Sequence, residues 1–153
     1  MRRSAGILLY RVVDDGGEGR CEVLLGHMGG PFWARKDAGA WTIPKGEHEP
    51  DEDPLSAARR EFEEETGVAP PACDFVNLGE VRQSGGKVVR AWAVEGDFDA
   101  TTLASNTFEL EWPPKSGQMM TVPELDRFEW FDLDTARSKI IVAQAEFVDR
   151  LAR

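Results

Sequence analysis

The segment from Gly46 to Val68, GEHEPDEDPLSAARREFEEETGV, constrains the fold of this chain more than any other part of its sequence. Asp53 and Pro54 form a helix start signal, because an Asp can cap free backbone N–H groups and a Pro costs nothing at the first helical position. Gly67 is a helix stop signal. The sequence therefore predicts a helix of about three turns between these positions.

The predicted helix gathers carboxylates on one face. At about 100° per residue, Glu61, Glu64 and Glu65 lie together beside an apolar face. Like charges at this spacing repel, and a divalent cation would supply a reason for their clustering. Oxygen ligands on a rigid face suit Mg²⁺ or Mn²⁺. Arg60 is expected to hold one carboxylate by a bidentate contact, and Ala57 to leave room for an ion. The alternative is a solvated face of i to i+4 ion pairs.

The same segment matches the signature G-x5-E-x7-R-E-U-x-E-E-x-G-U, so the chain resembles the Nudix hydrolases. The matching residues are Gly46, Glu52, Arg60, Glu61, Phe62, Glu64, Glu65, Gly67 and Val68. Phe62 stands where the family usually has an aliphatic residue, which concerns packing rather than chemistry. The resemblance implies metal-dependent hydrolysis of a phosphoanhydride in a substrate made of a nucleoside diphosphate linked to another group.

Two segments outside this box extend the resemblance. WTIPKGE is similar to the approach segment of dinucleoside polyphosphate and diphosphoinositol hydrolases, and it implies that the Lys45 carbonyl joins the metal site while its ammonium contacts a phosphate. Glu124 lies six residues before Trp130, which is expected to open the last strand, and the resemblance implies that such a Glu completes the metal site or acts as base. The implied metal ligands are Glu61, Glu64, Glu65, Glu124 and the Lys45 carbonyl, with Mg²⁺ (or Mn²⁺) as cofactor.

The general base is left open among three glutamates of this set. Because the role falls on different glutamates across the family, Glu61, Glu64 and Glu124 are all candidates. Glu61 is the first choice. Arg60 would orient Glu61 or its neighbours.

Candidate substrate contacts lie on a Gly-rich loop and on a later strand. Phe32, Trp33 and Arg35 could stack a base or clasp a phosphate, although the two aromatic rings could equally pack beneath the loop. Arg90 is expected to offset phosphate charge, and Arg82 and Lys87 are plausible for the same role. His27 lacks a companion pattern and is expected to be a surface or strand-end residue.

Length and charge limit the other possibilities. At 153 residues, one domain over residues 1–153 is expected, as a monomer or homodimer. A net charge of −10 disfavours polynucleotide and anionic membrane as partners. It still allows the small-molecule phosphoanhydride substrate that the resemblance implies, provided that metal ions neutralise that substrate locally. Cys21 and Cys73 suggest neither a zinc site nor a disulfide framework, which fits a cytoplasmic location. No segment approaches transmembrane length.

The order of the predicted elements indicates the fold class. Strands are expected at Ser4–Val13, Cys21–His27, Trp41–Lys45 and Phe75–Val81, then in KVVRAWAVEG after a hairpin signal, and in FELEW with Phe108 on one side. A final helix, capped by Asp134, is expected to run to about Arg153. This order predicts an α/β fold, a layered α/β/α sandwich with a mixed central sheet, as the Nudix resemblance also implies.

Substrate identity is left open. The leaning is to a dinucleoside polyphosphate or a nucleoside triphosphate. Alternatives are a diphosphoinositol polyphosphate or nucleotide-sugar hydrolase, a non-catalytic nucleotide-binding module of the same fold, and an acidic protein whose Glu helix is only a surface. Non-catalytic relatives usually lose box carboxylates, and this chain keeps all of them.

Overall fold

The computed structural model describes residues 2–14, 16–17 and 19–152. Its strands and helices follow one another along the chain in this order: β1 Arg2–Asp14, β2 Gly19–Met28, β3 Trp41–Thr42, β4 Lys45–Glu47, α1 Pro54–Thr66, β5 Val76–Gln83, β6 Lys87–Glu95, β7 Thr107–Glu111, β8 Met119–Pro123, β9 Leu125–Asp132, α2 Leu133–Lys139 and α3 Ala145–Leu151. Short 3-10 turns occupy Ala100–Thr102 and Val142–Gln144. None of the helices in the described part of the chain has the length and apolar character needed to span a membrane.

The large sheet is mixed, as predicted. Its strand order is β3-β2-β1-β6-β5, with β4 paired to the first half of β1 and β9 paired to β2. β1 and β6 run parallel, whereas β1 and β2 run antiparallel. β7 and β8 form a separate two-stranded hairpin. The split pairing of β1, first with β4 and then with β2, brings the approach segment beside the start of α1.

Helices cover both faces of the sheet, which confirms the α/β/α sandwich. Neighbouring residues of β1 point to opposite faces, as a strand requires. Ile7 and Leu9 pack with Phe62 of α1 in one apolar cluster. Leu8 packs in a second cluster, which contains Phe147 of α3 and Ala136 of α2.

The central helix has the predicted ends. Asp53 precedes it, and its Oδ2 accepts a hydrogen bond of 3.0 Å from the backbone N–H of Ser56. Gly67 ends it with φ at 82°, a left-handed conformation that glycine adopts without strain. Ala57 is fully buried in the apolar cluster that contains Phe62, and the expectation that it leaves room for an ion stays a prediction.

The end of the chain differs from its prediction. The expected continuous helix is two helices: α2, capped by Asp132 rather than Asp134, stops before Ile140, which bridges to Trp41. The backbone N–H of Ile141 donates to the Trp41 carbonyl over 2.8 Å, so this segment pairs with the approach segment instead of continuing the helix.

Trp130 does not open the last strand, because β9 begins at Leu125. Glu124 therefore occupies the single position between β8 and β9. The predicted approach strand is also interrupted, since Ile43 and Pro44 separate β3 from β4.

Candidate active site

A cleft with a cavity volume of about 420 Å³ lies between α1, β4 and the loops that flank β2 and β9. It brings together most of the residues that the sequence predicted for the metal site. The predicted residues that line it are Trp33, Lys45, Gly46, Glu61, Glu64, Glu65 and Glu124.

Glu65 is the most perturbed carboxylate of this cleft. Its side chain is buried, and its Oε2 has no hydrogen-bond partner among the residues that the structure describes. Burial, and then the nearby charges of Glu124 and Glu61, raise the pKa of Glu65 to about 8. Burial also raises the pKa of Glu61, with Glu64 adding to the shift, and burial raises the pKa of Glu124. The carboxylates therefore destabilise one another's ionised forms.

The carboxylates are near neighbours without forming a closed ligand cage. Within the described ranges, no group of three or more His, Cys, Asp or Glu side chains surrounds one point closely enough to hold an ion as the side chains stand. Glu61, Glu64 and Glu65 of α1 nevertheless line the same cleft as Glu124, which lies between β8 and β9.

Arg60 lies behind the cleft and fixes the carboxylates from that side. Its Nη1 donates to Glu61 over 2.9 Å and to Glu64 over 3.3 Å. Its Nε and Nη2 donate to the two oxygens of Glu52, each over 3.2 Å. The bidentate contact thus goes to Glu52, while single contacts orient Glu61 and Glu64.

Gly46 allows a close approach between β4 and α1. A Cβ added at Gly46 would stand 2.1 Å from the carboxyl carbon of Glu61. A side chain at position 46 would therefore have to displace the Glu61 carboxylate from the place where it stands.

Two lysines line the cleft along with the carboxylates. Lys45 of β4 is partly buried, and burial lowers the pKa of its ammonium group, with the charge of Glu65 opposing that shift and that of Lys87 adding to it. Lys87 stands at the start of β6 and lines the same cleft. The sequence offers three basic residues that could offset phosphate charge, and Arg90 is the predicted one, with Lys87 only an alternative.

Three of the predicted substrate contacts do not line the cleft. Arg90 lies in another groove, where its Nη2 donates to Glu80 over 3.1 Å. Residues three apart on a strand point to opposite faces, so Arg90 and Lys87 diverge. Arg35 is exposed, and Phe32 is 55% exposed with the Lys36 ammonium 3.8 Å above its ring.

Trp33 lines the cleft and also packs against the core, so its packing role is observed and its role as a stacking surface for a base stays a prediction. Asn106 and Phe108, from the entry to the β7–β8 hairpin, line the opposite side and were not assigned to the site from the sequence. The alternation in FELEW placed Phe108 on one side of a strand, but only the packing of the hairpin shows which side faces the cleft.

His27 is not the surface residue that its isolation in the sequence suggested. Its side chain is fully buried. Nδ1 lies 2.8 Å from Asp126 Oδ1, and Nε2 lies 2.7 Å from the carbonyl oxygen of Lys36. His27 does lie at a strand end, next to the last residue of β2, as expected. Its burial was not foreseen, because its partners come from a loop and a distant strand, which leave no local pattern.

Comparisons with known proteins agree with this fold. The family model described as NUDIX domain matches residues 2–151. The RNA pyrophosphohydrolase of Bartonella henselae is 29% identical in an alignment that covers 92% of this chain and 81% of that protein. An octanoyltransferase of Myxococcus xanthus is 31% identical over 102 residues, and the match spans 67% of this chain but only 25% of that protein.

Among solved structures, an Ap4A hydrolase of C. elegans in a binary complex has the same fold. It superposes with a TM-score of 0.65 at 21% identity, covering 99% of this chain and 96% of that one. Because the family model spans residues 2–151, the chain belongs to the NUDIX domain family and is a Nudix-type hydrolase.

Proposed function

We propose that this chain hydrolyses a phosphoanhydride in a small substrate made of a nucleoside diphosphate linked to another group, with Mg²⁺ or Mn²⁺ as cofactor. The observation that carries the proposal is Glu65. Its buried Oε2 has no hydrogen-bond partner among the described residues, and the charges of Glu124 and Glu61 add to the effect of burial in raising its pKa. Clustered, buried carboxylates destabilise the folded state unless a cation binds between them.

The residues of the cleft fit a hard divalent ion. Glu61, Glu64, Glu65, Glu124 and the backbone carbonyl of Lys45 are oxygen donors, which Mg²⁺ and Mn²⁺ prefer. When bound, such an ion would polarise a phosphoryl oxygen and lower the pKa of a water molecule.

Side chains of the cleft would accept the proton of the water and offset charge on the substrate phosphates. Water attacks phosphorus, the phosphoanhydride P–O bond breaks, and a carboxylate takes the proton of the water. Glu61 is the first candidate for this base, because Arg60 and the close approach of Gly46 hold its carboxylate in place. Glu64 and Glu124 are the alternatives. Lys45 and Lys87 would offset charge on the substrate phosphates.

The cleft favours a nucleotide over a diphosphoinositol polyphosphate. Trp33 and Phe108 line it and offer aromatic surface on which a base could stack. Lys45 and Lys87 are its cationic lining residues within the described part of the chain, few for a ligand crowded with phosphates. The likeness to an Ap4A hydrolase supports a dinucleoside polyphosphate, with a nucleoside triphosphate as the other leaning.

An RNA 5′ end is a second candidate, favoured by the similarity to the RNA pyrophosphohydrolase. The net charge of −10 opposes it, because long-range repulsion weakens polynucleotide binding. A substrate panel separates the two candidates.

The test is a panel assay with Mg²⁺ or Mn²⁺, in which products are resolved by ion-exchange chromatography. The panel contains diadenosine tetraphosphate, ATP, ADP-ribose, a diphosphoinositol polyphosphate and a 5′-triphosphorylated RNA. We expect nucleotide products from one of the first two compounds and no turnover after addition of EDTA. Glu64→Gln should lower kcat by about 100-fold or more. Glu63→Gln is the matched control, because Glu63 is exposed on the same helix and does not line the cleft.

Two results would contradict the proposal. Undiminished turnover in a folded Glu64→Gln variant would exclude the carboxylate face as the catalytic site. A nucleotide-induced rise in Tm without any product would instead identify a non-catalytic binding module.

A further inference from the structure

One buried side chain joins two walls of the cleft. His27, near the end of β2, contacts the carbonyl oxygen of Lys36 through Nε2 at 2.7 Å and Asp126 Oδ1 through Nδ1 at 2.8 Å. Lys36 belongs to the Gly-rich loop that carries Trp33, and Asp126 lies two residues after Glu124. The ring itself is fully buried and packs edge-on against Trp41, with 5.1 Å between ring centroids.

A β-bulge directs Asp126 toward this histidine. His27 pairs with Arg127 and Met28 pairs with Leu125, so Asp126 is the extra residue between two regular pairs. A bulge bends its strand and re-aims the side chain of the extra residue. Arg127 also approaches the same Asp126 oxygen, at 3.6 Å, which is longer than the contact with His27.

The Lys36 contact holds the turn that presents Trp33. The backbone N–H of Lys36 donates to the Trp33 carbonyl over 2.9 Å, so both residues belong to one turn. The base of the loop is closed separately, because Met28 donates to Ala40 and Gly29 donates to the Glu124 carbonyl, each over 3.0 Å. His27 contacts the loop at Lys36, away from this base.

We propose that His27, with Asp126, is a positioning residue that holds the Trp33 turn at the cleft. A carbonyl oxygen only accepts hydrogen bonds, so Nε2 donates to Lys36. A side chain without donors would remove the hydrogen bond to that carbonyl, which favours opening of the turn. His27 does not line the cleft, so its effect on substrate binding passes through Trp33. This inference rests on the proposed function only in treating Trp33 as a substrate contact.

The test combines a readout of loop order with a kinetic readout. His27→Phe keeps an aromatic ring against Trp41 and removes both hydrogen bonds. We expect faster amide hydrogen exchange across residues 29–39, and an increase of about tenfold in KM for diadenosine tetraphosphate with Mg²⁺, with kcat unchanged within about twofold. If ATP is the better substrate in the panel, KM for ATP is measured instead.

Three further variants separate positioning from general destabilisation. Asp126→Leu leaves Nδ1 without its partner and should shift exchange and KM in the same direction as His27→Phe, whereas Asp126→Asn keeps a polar side chain that can hydrogen-bond Nδ1 and should stay near wild type. Val148→Ala is the matched control, since Val148 is buried in the same cluster as Trp41 and does not line the cleft. It should lower Tm without changing exchange at residues 29–39 or KM.

A double variant tests the route through Trp33. In a Trp33→Ala background, His27→Phe should raise KM no further. Unchanged exchange across residues 29–39, unchanged KM despite faster exchange, or fully additive effects on KM would each overturn the inference. If the wild-type protein hydrolyses no member of the panel, the proposed function fails, and the exchange measurement alone still decides whether His27 holds the turn.

Discussion

Gly46 has no side chain, and the Glu61 carboxylate occupies the space that a side chain there would take. Since a Cβ at Gly46 would stand 2.1 Å from the Glu61 carboxyl carbon, Gly46→Ala must displace either the carboxylate or β4. We expect kcat to fall by about 100-fold, because a displacement of about 1 Å in a catalytic group has a cost of that order. Steady-state kinetics on the substrate identified by the panel check this. Gly17→Ala is the control, because its Cβ would meet open space, and wild-type kcat in Gly46→Ala would contradict the packing argument.

Residue-scale prediction from the sequence succeeded where a spacing carried the information. Glu61, Glu64 and Glu65 were found by their spacing on one helix, and all three line the cleft. Lys87 was passed over for Arg90, although both lie on the same strand. Sequence alternation shows that they point to opposite faces, but only strand pairing and the packing of α1 show which face borders the cleft.

At the scale of elements, locally capped segments were predictable and tertiary pairings were not. The bounds of α1 follow from Asp53 and Gly67, which act on neighbouring backbone groups. The break between α2 and α3 has no Gly or Pro to mark it. It arises because Ile140 and Ile141 pair with Trp41, almost a hundred residues earlier in the chain, and this pairing outweighs helical propensity.

Gln144 secures that break and offers a test of it. Its buried amide accepts from the Ile43 N–H over 3.1 Å and donates to Thr42 Oγ1 and to Gln83 Oε1, each over 3.0 Å. Gln144→Leu would leave the N–H of the fully buried Ile43 without this partner and would remove the bonds to Thr42 and Gln83, although Thr42 Oγ1 keeps its bond to the Ile43 carbonyl. We expect a loss of about 2–3 kcal/mol in the free energy of unfolding, and a fall of roughly 5–10 °C in Tm.

Urea denaturation and thermal melts measure this effect. Gln118→Leu is the matched control, because Gln118 is exposed and its replacement should change stability by no more than about 0.5 kcal/mol. Equal stability of the two variants would show that the Gln144 network does not hold the segment between α2 and α3.

At the scale of the whole molecule, the cleft concentrates negative charge in a chain whose net charge is already −10. Arg60 offsets part of that charge, but the Glu65 Oε2 keeps no partner. These carboxylates are therefore expected to destabilise the folded protein when no cation is bound. This trade of stability for function should be visible as a pH dependence of folding.

Glu65 sets the sign of that dependence. Its pKa is about 8 in the folded chain against an ordinary value of 4.5, so between these pH values the unfolded state has released a proton that the folded state retains. The contribution of Glu65 to the free energy of unfolding is therefore fully present below about pH 4.5 and is lost as the pH rises toward 8. The raised pKa values of Glu61 and Glu124 act in the same direction.

Thermal melts in EDTA between pH 5 and 8 check this prediction, and Tm should fall as the pH rises. Glu65→Gln cannot ionise, so its Tm should fall less steeply, whereas Glu63→Gln, exposed on the same helix, should follow the wild type. Saturating Mg²⁺ or Mn²⁺ should also flatten the wild-type profile, because a cation favours the ionised carboxylates and binds only the folded site. Parallel profiles for wild type and Glu65→Gln in EDTA would mean that Glu65 does not carry the pH dependence. A profile that Mg²⁺ and Mn²⁺ both leave unchanged would mean that neither ion binds at these carboxylates.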